Sequence, residues 1–353
     1  MTLTRSLSNS ENLNSRVQVL LEDKIGTYLD RKYRISRSQA TKESYRIIVR
    51  RFIDFIQIHY KQDFEQFLST IKRPEADPIE ILDEYFTFLA ENKKPLANNT
   101  VRFYVTVAKD FMNFLGCRIF TEDIKHRFRL PKAHHAYEEG LTKETINRIV
   151  RFANPKLATS ILMLASSGMR ISELLQLRLQ DINFEKNPTT VLVRAETTKT
   201  RETRITCISS EATSALQDYI KRYKITNHLF IRDNHKTDED YIRNLLVTRQ
   251  SFERMLQHVR SNIPELNKKN ENGRNAIHFH ALRAWFKTQV TDAHQSDFAE
   301  ALMGHKSLKL VYYRQNEKAR SKTYLDVEHA LTIAETEKMD QNYSELQQDN
   351  LEL

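Results

Sequence analysis

Only six glycines interrupt the 353 residues of this chain, and prolines number seven. A sequence so poor in both lacks the turn residues that a hairpin-rich β fold consumes, and is left with helices as its main element. Its length exceeds the roughly 250–300 residues that one hydrophobic core serves, which implies more than one domain. The stretch YRIIVRRFIDFIQIHY shows the helical period directly: Ile47, Ile48, Phe52, Phe55 and Ile56 recur at helical intervals, with Arg46, Arg50 and Arg51 between them. Two further helices read through IEILDEYFTFLAE and NNTVRFYVTVAKDFMNFL, the second capped by Asn98–Asn99 and stopped by Gly116.

The charge is uneven. Formal net charge is +9 with a pI near 9.3, while residues 331–353 hold six acids and one lysine, so the rest of the chain carries +14. Such an excess favours a polyanionic partner, nucleic acid being the commonest. Two distant cysteines, Cys117 and Cys207, exclude a disulfide scaffold and a cysteine-rich zinc site, and fit a reducing cytosol. No run of about 18 apolar residues exists and the first residues lack an apolar signal core, so the expected location is intracellular, cytoplasmic and nucleoid-associated, with no membrane partner.

These patterns divide the chain. Residues 1–16, rich in Ser and Asn, are expected to be disordered, and 17–117 to form a helical domain with a basic solvent face. Residues 118–140 read as a basic linker interrupted by Pro131. Its cluster of Lys125, His126, Arg127, Arg129 and Lys132 suits either a segment lying along a phosphate backbone or a solvated loop. Residues 141–330 form the second domain, and 331–353 an acidic tail. In the second domain Thr142 is the expected N-cap of TINRIVRFA, followed by KLATSILMLASS. Gly168 interrupts, and ISELLQLRL restarts the helix with Glu173 in its first turn. TTVLVRAE and ETRITCIS, joined by TTKTR, predict a hairpin. Helices resume through SALQDYIKRY, LVTRQSFERMLQHV, HALRAWFKTQV, DFAEALMG and LDVEHALTIAETEK. The fold class is mainly α with a small β hairpin in the C-terminal domain.

Five places in this domain hold polar residues with chemical potential. In SSGMRISELLQL, Gly168 precedes Arg170, so backbone, helix N-terminus and a forked donor could meet an anion there; the plain alternative is pairing with Glu173 or Asp181. Lys199 sits at the hairpin tip, where a lysine is ordinarily just solvated. In IHFHALR, His280 and Arg283 lie three apart and share a helical face, while His278 lacks the neighbours of a zinc site. In LMGHKSL a second glycine, Gly304, precedes His305. VYYRQN follows with Tyr312 and Tyr313, as packing residues or as reactive phenols.

In order and company these motifs resemble the tyrosine recombinase (phage integrase) family, over most of the chain. SSGMRISELLQLRLQDI is similar to that family's first arginine box, TTKTRETR to its lysine hairpin, and HALRAWF with LMGHKSL to its second box; LMGHKSLKLVYYRQ resembles archaeal members in particular. The resemblance implies an N-terminal helical DNA-clasping domain and a C-terminal catalytic one. It implies an active-site set of Arg170, Lys199, His280, Arg283, His305 and Tyr313. Ala284 and Trp285 stand where the family often has histidine and threonine. Arg314 stands nine residues after His305, where its tyrosine usually lies, so Tyr313 is taken as the nucleophile, with Tyr312 and Tyr324 as the other candidates.

The implied reaction cleaves and rejoins DNA through a covalent 3′-phosphotyrosine, without ATP, nucleotide cofactor or metal. Two arginines with histidine donors would hold the nonbridging oxygens as charge grows, His280 would take the tyrosine proton, and Lys199 would protonate the departing deoxyribose oxygen. The implied partners are a double-stranded recombination site and three further copies of the chain, a homotetramer on paired sites, as for the integrase of a mobile element. DNA contacts are expected from Arg46, Arg50, Arg102, Lys125, Arg127, Arg129 and Lys132. The same residues would also serve a telomere resolvase, a type IB topoisomerase or a non-catalytic, decayed integrase acting as an accessory DNA-binding protein.

Overall fold

The short apolar intervals of the sequence become helices wherever a polar residue can cap their start. The computed structural model describes residues 21–73, 76–91, 96–128, 130, 139–269, 273–305 and 315–334, and the chain divides into two compact units between residues 135 and 136. The first unit holds α1 (residues 21–36), α2 (Gln39–Tyr60), α3 (Phe64–Ile71), α4 (Pro78–Ala90), α5 (Asn98–Phe114) and α6 (Thr121–Arg127). Ser38 caps α2 by accepting from Thr41 N–H, and Asp63 with Gln66 closes a reciprocal capping box on α3. Asp77 caps α4, whose first residue, Pro78, has no N–H to leave unpaired. The cap expected at Asn98–Asn99 is not used: α5 starts at Asn98 itself, and its N-cap, Ala97, has no side-chain bond.

On α2 the buried face is Ile48, Val49, Phe52, Ile53, Phe55 and Ile56, whereas Ile47, expected on that face, is 55% exposed. The buried residues fill one arc of the helix, and Ile47, about 100° round from Ile48 on the side away from that arc, falls outside it. Phe52 and Phe55 pack against Tyr85 of α4, with centroids 5.0 and 5.2 Å away. The segment expected as linker differs most. Residues 121–127 form α6, and Ile119 and Phe128 on either side are buried in the first unit's core. Four apolar side chains, counting the half-buried Ile124 and Leu130, anchor a stretch whose charges dominate its composition. The disordered N-terminus and acidic tail expected at 1–16 and 331–353 lie outside the described residues, apart from Leu331–Ala334.

The second unit runs α7 (Lys143–Phe152), α8 (Pro155–Ser167), α9 (Ile171–Leu174), β1 (Ile182–Asn183), β2 (Thr189–Val193), β3 (Arg204–Ile208), α10 (Ser210–Tyr223), α11 (Asp238–Asn262), α12 (Phe279–Asp292), α13 (Ser296–Met303) and α14 (Glu317–Leu331). Thr142 does cap α7, its hydroxyl accepting from Thr145 N–H at 3.2 Å. α8 is the hub: Leu157 and every residue from Thr159 to Ser167 are buried, against α7, α10 and α12. The hairpin is present, with Val191 opposite Thr206 and Thr190 opposite Cys207, and β1 adds a third antiparallel strand too short for any periodicity to reveal.

The helix expected through ISELLQLRL is a single turn. Leu177 and Leu179 instead pair their backbones with residues 227–229, through Leu229 N–H to Leu177 O (3.0 Å) and Leu179 N–H to Asn227 O (2.7 Å). Backbone groups spent on a neighbouring segment cannot continue a helix. Among the described residues no helix is long and apolar enough to cross a membrane.

Candidate active site

Two helices of the second unit end on left-handed glycines: α8 at Gly168 (φ 64°) and α13 at Gly304 (φ 69°). From sequence, Gly168 reads as an opening for a ligand and Gly304 only as a neighbour of His305; the packing gives both a task within the fold. A Cβ on Gly168 would lie 2.4 Å from the Phe286 ring, and one on Gly304 would lie 2.9 Å from Arg204 Cδ. Each glycine makes room for a side chain from another element, and each helix end leaves carbonyls without intrahelical partners.

Arg283 of α12 takes those carbonyls. It is 1% exposed and donates to Gly168 O at the end of α8, to Met303 O at the end of α13 (2.8 Å) and to His305 Nε2 (3.0 Å). Helix C-termini carry partial negative charge, so the guanidinium is buried in a field that favours it. Burial, followed by the positive charge of Arg170, lowers its pKa to about 10, which leaves it charged at neutral pH.

Arg170 is the N-cap residue of α9. Its backbone N–H donates to Glu173 Oε2 and its guanidinium to Glu173 Oε1, both at 2.9 Å. The pairing with Glu173 offered as the plain alternative is therefore present, and it holds Arg170 with its side chain 26% exposed. Glu173, whose side chain is 0% exposed, is shared: Arg204 donates to its Oε2 at 2.6 Å and also to Leu302 O at 2.8 Å. Burial alone would raise the Glu173 carboxyl, but the hydrogen bond and charge of Arg204, then those of Arg170, hold it below the usual carboxylate range. Arg170 and Arg204 thus share one buried carboxylate, and Arg283 lies within range of their charges, a surplus of positive charge suited to an incoming anion.

His305, just past α13, faces Arg283 through Nε2 and the Glu300 carboxylate through Nδ1. His280 is exposed in the first turn of α12, three residues before Arg283. His278 is accounted for as that helix's cap, its Nδ1 accepting from Ala281 N–H at 3.2 Å. Among the described residues no group of three or more His, Cys, Asp or Glu could hold a metal ion. Lys199 is exposed in the turn between β2 and β3. Trp285 is buried in the core, as a packing residue would be, and Ala284 is exposed.

Tyr312 and Tyr313 lie outside the described residues. Tyr324 is described, and it is a core residue: 0% exposed, its hydroxyl donates to Ser166 O at 2.7 Å and ties α14 to α8. Burial above all raises that hydroxyl's pKa well beyond the ordinary tyrosine value. Sequence reasoning missed Arg204, Glu300 and Lys287. Arg204 had a signal: strand alternation puts it on the same face as Thr206 and Ile208, which are buried, and an arginine on an inward phase requires a buried partner.

In the first unit, Arg50 pairs with Glu22 (3.0 Å), Arg46 with Glu43 (3.3 Å) and Arg127 with Asp77, all on the surface. Arg102 is exposed on α5. The Lys125 side chain, Arg129 and Lys132 lie outside the described residues.

The profile of the phage integrase family matches residues 139–320, the segment that carries the arginine cluster. The chain belongs to the phage integrase family. It is similar to the tyrosine recombinase XerA of Saccharolobus solfataricus, 25% identical over 199 residues that cover 54% of this chain and 60% of that protein. It is also similar to the tyrosine recombinase XerC of Roseiflexus castenholzii, 24% identical over 263 residues covering 70% of this chain and 79% of that protein. The chain spans about three fifths of the length of the first of these. In fold it is similar to lambda integrase, solved as a tetramer bound to a Holliday junction, with a TM-score of 0.54 and 14% identity over 84% of this chain and 80% of that one.

Proposed function

We propose that this chain is a site-specific DNA recombinase that cuts and rejoins double-stranded DNA through a covalent 3′-phosphotyrosine. The observation that carries this reading is the convergence of Arg170 and Arg283, with His305 beside them, at the ends of α8 and α13, a fixed cluster of guanidinium donors suited to a phosphodiester. Nonbridging oxygens would lie against the guanidinium groups, which strengthen their hold as negative charge grows in the transition state.

The nucleophile is Tyr313. Its oxygen forms a bond to phosphorus, its proton passes to His280, and the bond to the 5′ oxygen breaks as Lys199 supplies a proton. One phosphodiester replaces another linkage of similar energy, so neither ATP nor a metal is required for the balance. The reverse attack by a different 5′ hydroxyl rejoins the strand. The burial of Tyr324 supports a nucleophile in the segment between His305 and α14. The partner is a double-stranded recombination site, on which four copies act in pairs, and the basic residues of the first unit contribute nonspecific phosphate contacts.

The test is a nicked suicide DNA carrying the attachment junction, or a random library in its place, with the adduct mapped by peptide mass spectrometry. The expected adduct is on Tyr313. One on Tyr312 keeps the reaction and corrects the residue. Tight DNA binding with no adduct on any site would favour a non-catalytic accessory protein instead.

A further inference from the structure

Among the described residues, the neighbours of His305 select one tautomer of its ring. Nδ1 faces Glu300 Oε2, and a carboxylate has no proton to give, so Nδ1 carries the hydrogen. Nε2 lies 3.0 Å from Arg283 Nη2, and a guanidinium only donates, so Nε2 presents a lone pair. Among the described residues, the other charged groups around this corner are Lys287 of α12, which binds Glu300 Oε1, and Arg204 of β3, whose side chain packs against Gly304. Glu300 is held twice over. Its side chain is 19% exposed with both oxygens engaged, and its backbone carbonyl accepts from His305 N–H at 3.1 Å.

We propose that Glu300, braced by Lys287, is a positioning residue for His305: it pins the ring through Nδ1 and keeps Nε2 turned toward the anion position marked by Arg283. This rests on the recombinase reading above. The carboxylate also has an electrostatic consequence. When a phosphate oxygen takes over the Arg283 hydrogen, Nε2 is free to bind a proton delivered by solvent hydronium, which leaves as water, and to donate it in a hydrogen bond to that oxygen, with the resulting imidazolium between two anions. Nothing in Glu300 touches the reacting atoms; it acts through the orientation and proton placement of His305.

The chemistry of the pair predicts an unusual penalty for the near-isosteric change. In Glu300→Gln the Lys287 ammonium claims the amide oxygen, so the amide NH2 turns to His305 Nδ1. That forces the ring proton onto Nε2, where it opposes Arg283 in the free protein, and the amide donor facing Nδ1 bars the second ring proton that the imidazolium needs, as a donor replacing a carboxylate inverts the histidine in other pairs. Adding Lys287→Met removes the competing cation, lets the amide rotate, and returns its oxygen to Nδ1–H.

The experiment measures two things on the full chain: the His305 tautomer by 15N–1H NMR of histidine-labelled protein without DNA, assigned with His305→Asn, and single-turnover cleavage of the nicked substrate. Wild type is expected to show the Nδ1–H form. Glu300→Gln is expected to show Nε2–H and to cut about 100-fold more slowly, and Glu300→Gln with Lys287→Met to regain Nδ1–H and at least about 10-fold in rate. Glu300→Ala, which adds no donor, is the second variant should Glu300→Gln fold poorly, with mixed tautomers and about a 10-fold loss. A Glu300→Gln protein that keeps Nδ1–H, or cuts within twofold of wild type, overturns the role. Failure of the wild-type chain to cut any DNA would instead overturn the recombinase reading and the role with it, whichever tautomer the spectra show.

Discussion

Arg50 and Arg127 of the first unit and Arg170, Arg204 and Arg283 of the second all have partners, but on opposite terms. Arg50 meets Glu22 with both side chains about half exposed, and Arg127 meets Asp77 with its own side chain 55% exposed. Water screens such pairs, and a phosphate can displace the carboxylate at little cost. Arg204 and Arg283 are nearly buried, and their partners are carbonyls at helix ends and a carboxylate with no exposed surface. Those bonds fix where the guanidinium groups lie before any ligand arrives. The first arrangement suits adjustable attraction along a backbone, and the second suits charge placed in advance of a reaction.

The largest effect is expected where the buried arrangement loses its fork. Arg283→Lys keeps the charge, but one ammonium cannot reach Gly168 O, Met303 O and His305 Nε2 together. Cleavage of the nicked substrate should fall by about 1,000-fold, in the range of losing an anion-stabilising donor. Chemical denaturation should show a loss of about 2–4 kcal/mol, because at least one helix-end carbonyl is left buried and unpaired. Near wild-type cleavage by this variant would mean that position, not the fork, is what Arg283 supplies.

The shared carboxylate comes next. Glu173 has its pKa lowered in the folded protein despite burial, by Arg204 and then Arg170. A carboxyl lowered on folding contributes stability that is complete above its unfolded value of about 4.3 and is lost as pH falls through the lower folded value. Wild type should therefore lose thermal stability from about pH 5 downward more steeply than Glu173→Gln, and the Gln variant should be the less stable of the two at pH 7. Parallel melting curves across that range would show that the two arginines do not depend on the charge of Glu173.

How far the sequence disclosed this contrast depended on the kind of signal. Helical periodicity placed α2, α4, α5 and most helices of the second unit, because burial of one face repeats over many residues. The short pieces were hidden. β1 has two residues, and α9 stops after one turn because residues 227–229, some fifty positions away, claim the backbone of Leu177 and Leu179. The site motifs pointed to Arg170, Arg283 and His305 as a group, and the fold brings Arg283 to His305 and to the helix end just before Arg170. Their supports, Arg204 and Glu300, come from a strand and a helix that nothing local marks as neighbours. The two glycines were noticed from sequence, but what their turns make room for was not legible there. Their left-handed turns serve Phe286 and Arg204, side chains 118 and 100 residues distant in sequence.

The smallest expected effect is also the one that most directly separates the two kinds of arginine. Arg50→Ala removes a guanidinium that is half exposed and, among the described residues, bonded only to Glu22 on the surface of α2. Exposed pairs of this sort contribute little to folding, so the melting temperature should not move measurably. If Arg50 exchanges Glu22 for a phosphate, DNA affinity should fall to a similar degree on specific and random duplexes, and the slope of log affinity against log salt should drop by about 1. Because the freed Glu22 would then repel the backbone, Glu22→Gln alone should raise nonspecific affinity slightly. An unchanged slope in Arg50→Ala would place the DNA elsewhere on the first unit and leave Arg50 a purely structural surface pair.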